Sequence, residues 1–378
     1  MKKTIKKWLP AVWIGLLSLS VSGCWDIHYL VNKKIVNGIS LDKQENGQLR
    51  GTVKAIILES KGGGQFNVKD KVAQATGGNL PEIGHKIDSM LPGTIEANKA
   101  FVIIIGDELA KQGIMPALEF FYRLPKAYLN TKVLIAKGNA AEILNVSLLE
   151  NNPIAFDIKQ MVQGSERTTL VPDQTLYSLW NQVSDPAEDT VLPMIRKIDH
   201  DTLVIDSTGL FNGDIFTGIT LSREDSILLL LMNGKLSKVA WLDIPLDRKS
   251  HSGKADVVSF EVRKIKRKLE VSVNKDMQAI ESHIRVDLYS NIDSYTSSPD
   301  WEIDSKQLSK ELETILDKRA SKITRQLLKA NCDAFGIGRK LKASHTALWN
   351  SIDWKSKYPE VKLTTEIHVH ITSTGALK

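Results

Sequence analysis

The chain has 378 residues, 42% apolar and 25% charged, a balance that fits a folded protein and excludes a disordered or collagen-like one. Its formal charge of +6 owes much to Lys2, Lys3, Lys6 and Lys7 at the N-terminus; the remainder is close to neutral, so no nucleic-acid-binding role is expected. Two cysteines, Cys24 and Cys332, exclude a disulfide-stapled scaffold and leave folding to apolar cores.

The four lysines precede an apolar run from Trp8 to Val21, which ends in Val21-Ser22-Gly23-Cys24. A basic start, a short apolar stretch and small residues at the cut make a secretory signal, residues 1–23, with a lipoprotein-type cleavage site. The run is too short to span a bilayer, which takes about 20 apolar residues. Cleavage would leave Cys24 first in the mature chain, carrying a diacylglyceryl group, and two acyl chains anchor a protein where one holds it only marginally. Cys24 is the one residue to which the sequence assigns a chemical role.

The first folded part is predicted over 25–200. Val36, Gly38, Ile39 and Leu41 form a strand, Asn46-Gly47 a turn and Thr52–Leu58 the returning strand of a hairpin. Gly62-Gly63-Gly64 reads as a loop; it lacks the strand, helix, lysine and hydroxyl that a phosphate loop requires. A helix is expected from Pro81 to Met90, a buried strand over Ala100–Ile105 and an amphipathic helix over 114–124. Lys132–Ala136 is a second buried strand, and Asn139 caps a helix ending near Leu144. This order predicts parallel strands joined by a right-handed crossover. The polar stretch 151–193 holds one further helix near Thr175–Gln182.

Residues 201–247 read as a small antiparallel β domain with strands at 203–205, 209–211, 215–218 and 227–231. Residues 248–378 read as an antiparallel sheet with strands at 259–265, 269–273, 283–289 and 361–371, plus a long helix from Trp301 to Asn331. Leu308, Leu312, Leu316, Ala320, Ile323 and Leu327 form that helix's apolar stripe, and Lys310, Glu311, Glu313 and Asp317 fall on a face read as solvated. The expected fold class is α+β in three domains.

Reaction machinery is not expected. The sequence has no Gly-x-Ser-x-Gly elbow, Walker loop or His-Glu-x-x-His pair. His368 and His370 share one strand face, but two ligands without a third make a weak metal site, and they read as polar residues opposite Ile367, Val369 and Ile371. Glu224-Asp225 reads as a solvated turn pair, Cys332 as a small buried residue, and Gly336-x-Gly338 as a helix C-cap and turn. No cofactor, metal or catalytic residue is assigned.

Five blocks in order carry a family resemblance: Ser22-Gly23-Cys24-Trp25-Asp26, Gly38-Ile39-Ser40-Leu41-Asp42, Ala100–Gly113, Val133–Leu144, and Asp333-Ala334-Phe335-Gly336-Ile337-Gly338 with Trp349 and Trp354 downstream. Together they resemble the Ger(x)C family, the C-subunit lipoproteins of bacterial spore germinant receptors. One departure is visible at Leu124–Asn130, where the family has an acidic, arginine-containing segment; Arg123 is nearby but offset. The resemblance implies a lipid anchor on the outer face of the spore inner membrane, two integral-membrane partner subunits and a role in nutrient-triggered germination without catalysis. The competing expectation is a lipid-anchored solute-binding protein that captures a nutrient directly.

Overall fold

A computed structural model describes residues 33–62, 65–91, 94–96, 99–124, 127–146, 153–249, 255–274, 279–295 and 304–374. Cys24, Trp25, Asp26 and Trp301 lie outside them.

The predicted hairpin forms from β1 (Lys33–Lys43) and β2 (Leu49–Gly62), with Gly47 at φ +82° in the turn. A strand not foreseen, β3 (Gln65–Gly77), continues it antiparallel. The helix Leu80–Met90 follows, capped by Asn79, whose side chain accepts the Glu82 amide, and it lays Leu80, Ile83 and Ile87 on the sheet. The chain returns through the short β4 (Thr94–Glu96) to β5 (Val102–Gly106), which runs parallel beside β1 with Val102 opposite Gly38.

A short helix, Asp107–Ala110, and the expected helix Met115–Arg123 lead to β6 (Lys132–Ala136), parallel to β5. Helices Ala140–Leu144, Ile154–Arg167 and Leu176–Val183 then cross to β7 (Val191–Lys197). The 14-residue helix Ile154–Arg167 occupies much of the stretch read as polar and turn-rich.

The expected middle β domain does not form a sheet of its own. Its first strands are β8 (Leu203–Asn212) and β9 (Ile215–Leu221), and β8 pairs with β7, so both extend the first sheet in the order β3-β2-β1-β5-β6-β7-β8-β9. The run read as a fourth strand is the helix Arg223–Met232, capped by Ser222 and buried from Asp225 to Met232. A short apolar run buried on every side has no periodicity by which to tell helix from strand. The last piece, β10 (Ala240–Lys249), belongs to the second sheet.

That sheet has the order β10-β11-β12-β13, with β11 at Ala255–Val273, β12 at Ile280–Tyr295 and β13 at Lys362–Ser373. It is not wholly antiparallel as expected: β13 pairs parallel to β12. A parallel neighbour needs a crossover, supplied here by the 26-residue helix Ser305–Ala330 and the short helices Ile337–Ser344, Thr346–Trp349 and Trp354–Lys357. The long helix buries Leu308, Leu312, Leu316, Ala320, Ile323 and Leu327.

Strand alternation splits the core of the first sheet. Ile103 and Ile105 face one layer with Leu118 and Leu176, while Val102 and Ile104 face the other. The second layer continues without a break into the second sheet, with Ile158, Leu228, Phe260 and Leu316 in a single cluster. The two sheets are therefore welded by apolar burial, about 1.5–3 kcal/mol for each fully buried large side chain.

Candidate functional site

Three buried carboxylates organise the chain, Asp42 within the first sheet and the pair Asp189 and Asp333 between the sheets. Asp42 ends the Gly38–Asp42 block and is 4% exposed. Its Oδ1 accepts the Ala140 amide at 2.6 Å and its Oδ2 the Ala141 amide at 3.0 Å, so it caps the helix Ala140–Leu144 from a distant strand. Asn139 accepts the Ala141 amide as well, as its cap position predicts. Burial raises the Asp42 carboxyl above its usual range against the pull of the two amides and of Arg50. A Cβ on Gly106 would stand 2.5 Å from Asp42 Oδ1, and one on Gly38 would stand 2.7 Å from Ala155 Cβ. Three separated sequence blocks thus meet at one carboxylate; Gly106 is the space that lets it in, and Gly38 makes room for Ala155.

The joint between the sheets lies where β7 begins and the long helix ends. Asn331 closes that helix in the left-handed conformation, φ +49°, so the C-cap is Asn331 and not the expected glycine pair. Cys332 follows, fully buried, its thiol 3.8 Å from the Thr190 carbonyl; burial pushes its pKa well above the ordinary thiol value.

Asp333 is also fully buried, and its carboxylate accepts the Ile337 amide at 2.9 Å and the Gly338 amide at 2.7 Å. Removal from water pushes the Asp333 carboxyl up to about 7; the Gly338 and Ile337 amides oppose this, and the charges of Asp189 and Glu188 add to it. Gly336 takes φ +69° to start the next helix, and Gly338 lacks a Cβ that would stand 2.5 Å from Trp354 Nε1.

Asp189 faces this turn from the first sheet. It accepts the Asp333 amide at 2.8 Å and the Gly213 amide at 2.6 Å, and it pairs with Lys355 at 2.9 Å. Lys355 also donates to Asn212, Tyr358 donates to the Cys332 carbonyl, and Arg339 pairs with Asp185 and Glu188. Arg267 donates to the Met232 and Phe335 carbonyls from β11. The Asp333–Gly338 turn was visible in the sequence; Asp189, Asn212 and Lys355 were not, because only the fold brings them to it.

The other singled-out residues also find partners inside the fold. His368 pairs with Glu366 at 2.9 Å, and His370 pairs with Asp287 at 3.1 Å and stacks on Tyr289. Burial would raise Asp287, but the His370 hydrogen bond and Arg285 hold it below the usual carboxylate range. Asp225 is not solvated: it is 3% exposed and pairs with Lys322 and Arg319. Trp354 is buried, Trp180 is half-buried and stacks on Tyr122, and Trp241 is 45% exposed. Arg123 pairs with Glu119 on the surface. Among the described residues, no group of three or more His, Cys, Asp or Glu side chains is placed to hold a metal, and no helix is long and apolar enough to cross a membrane.

Comparison with known proteins places this architecture. Residues 26–197 match the family described as Spore germination protein N-terminal domain, and residues 206–375 match Spore germination B3/GerAC like, C-terminal. The chain is 22% identical to spore germination protein GerQC of Bacillus cereus over 371 residues, covering 98% of this chain and 99% of that protein. It is 25% identical over 256 residues to the putative spore germination protein YfkR of Bacillus subtilis (strain 168), covering 65% of each. The crystal structure of the GerBC protein superimposes with a TM-score of 0.58 at 16% identity, covering 92% of this chain and all of that one. The two family matches flank the joint on both sides, and the chain belongs to the GerAC/GerBC family of spore germination proteins, the C subunits of germinant receptors.

Proposed function

We propose that the chain is a lipid-anchored subunit that acts by assembly with two integral-membrane receptor subunits and not by catalysis. A diacylglyceryl group on Cys24 would hold it on the outer face of the spore inner membrane, where nutrient-triggered germination begins. The observation that carries this reading is where the buried charge goes. Asp42, Asp189 and Asp333 are engaged by backbone amides, Asp225 by Lys322 and Arg319, and the Lys132–Glu166 pair is internal. Buried ionisable groups that fasten helix ends and join sheets make a stiff body with surfaces to present. A two-lobed solute-binding protein is less well supported, because among the described residues the second sheet carries one long helix along β13 and no parallel α/β lobe.

Immunoprecipitation of the tagged full chain from spore membranes, read by mass spectrometry, tests the reading. Two polytopic receptor subunits are expected to copurify, and Cys24→Ala is expected to release the chain into the soluble fraction. Recovery of the chain without polytopic partners would overturn the assembly role, and retention of the Cys24→Ala chain on membranes would overturn the anchor.

A further inference from the structure

Helices Leu80–Met90 and Met115–Arg123 lie on the same face of the first sheet without closing over it. Between them is an outer chamber of about 330 Å³ and an inner one of about 120 Å³, which share Leu41, Leu80 and Phe120 as walls. Val36 and Ile39 floor the inner chamber, which no polar side chain among the described residues lines. The outer chamber has two polar side chains, Asn79 and Gln112, and among the described residues no charged one lines either chamber. One wall of the inner chamber is Gly84, at the middle of a helix, where glycine costs about 1 kcal/mol relative to alanine. A Cβ there would meet nothing within 4 Å, so packing inside the chain does not require the glycine.

We infer that this cavity binds a small neutral molecule, its apolar body in the inner chamber and a single hydrogen-bonding end toward Asn79 and Gln112. Volume and lining point to the class of occupant: the larger chamber reaches the size of a small-molecule site, about 300–1,000 Å³, and the pair are walled by apolar side chains with a few polar groups at one end. Charge selects further: a zwitterion or carboxylate would enter without a counter-charge, and an unpaired charge is strongly disfavoured in an apolar site. The inference does not rest on the assembly role, and it differs from capture of a charged nutrient.

The test is methyl NMR of Ile39, Leu41 and Leu80 in the full chain held in lipid nanodiscs, titrated with indole and separately with leucine. Indole is expected to shift these signals saturably and leucine to leave them in place. Gly84→Leu projects a side chain into the inner chamber and is expected to weaken indole about tenfold or more while raising the melting temperature. Gly164→Leu alters another helical glycine with open space at its Cβ, away from the cavity, and is expected to leave indole binding unchanged. Absence of saturable indole shifts, equal binding of leucine, or indole binding untouched by Gly84→Leu would each overturn the proposal.

Discussion

Asp189 and Asp333, 144 residues apart, hold each other twice: the Asp189 amide donates to the Asp333 carbonyl at 3.0 Å, and the Asp333 amide donates to the Asp189 carboxylate at 2.8 Å. One residue precedes β7 and the other follows the long helix, so the pair pins one sheet to the crossover of the other. The same Asp189 carboxylate takes the Gly213 amide and Lys355. Asp189→Ala would leave two amides without their acceptor and Lys355 without its counter-charge, though still bonded to Asn212, and is expected to destabilise the chain by about 3 kcal/mol or more. Urea unfolding followed by tryptophan fluorescence measures this; a loss under about 1 kcal/mol would show that the pair does not hold the sheets together.

Asp333 also sets a pH dependence. Its carboxyl titrates near 7 when folded and near the usual 3.8 when unfolded. A folded pKa above the unfolded one means that the folded chain binds the proton more tightly, so this contribution is present below pH 3.8 and is lost as pH rises toward 7. Glu166, buried beside Lys132, has the same sign, with a usual value of 4.5 and a folded value of about 7. Asp333→Asn removes the first titration only. The stability of the parent minus that of the variant is expected to fall across this window by an amount on the order of a few kcal/mol. A flat difference would mean that the two amides balance the burial, and a rising one that they outweigh it.

Gly106 is the space for Asp42. Gly106→Ala would place a methyl 2.5 Å from Asp42 Oδ1 and 3.2 Å from the Gly138 carbonyl, displacing the carboxylate from the Ala140 and Ala141 amides. A loss of about 2–3 kcal/mol is expected, the scale of a broken buried cap with strain added. Gly84→Ala, in open space, is expected to stabilise by up to about 1 kcal/mol. Thermal unfolding of the two variants should therefore move in opposite directions.

These relationships divide what was legible in the sequence from what was not. Lys132–Ala136 and the Asn139 cap could be read directly, because a buried strand and an N-cap are local signals. The helix Ile154–Arg167 left a readable stripe in Ile154, Ala155, Ile158 and Val162, but its polar remainder masked the period. Ile227–Leu231 passed for a strand, although Ser222 with Glu224 and Asp225 after it is a helix start. The Gly38–Asp42, Gly106 and Asn139 blocks were each visible, while their meeting at Asp42 depends on the β1-β5-β6 order. The place of β8 and β9 in the first sheet was hidden for another reason: β8 pairs with β7 across the short turn 198–202, and β7 begins in a stretch read as polar and turn-rich.

The face of the long helix read as solvated guards a sheet edge. Because β13 is the last strand of its sheet, amides on its outer side lack a strand partner. Asp317 Oδ1 accepts the Ile367 amide at 3.0 Å and Glu313 Oε1 accepts the Val369 amide at 2.9 Å, so two carboxylates one helical turn apart stand in for the carbonyls of a missing strand. Burial raises the Asp317 carboxyl, opposed by the Ile367 amide it binds, which marks the contact as sheltered from water. Replacing both residues by alanine would uncover an edge backed by a long, regular β12–β13 ladder. About 1 kcal/mol of stability is expected to go with each charge-assisted bond. The sharper consequence is association, since an uncovered edge offers unpaired amides to another chain. Sedimentation velocity across a concentration series is expected to show the double variant forming oligomers at concentrations where the parent sediments as one species. A double variant that keeps the parent's sedimentation at every concentration would show that the helix backbone alone shields the edge.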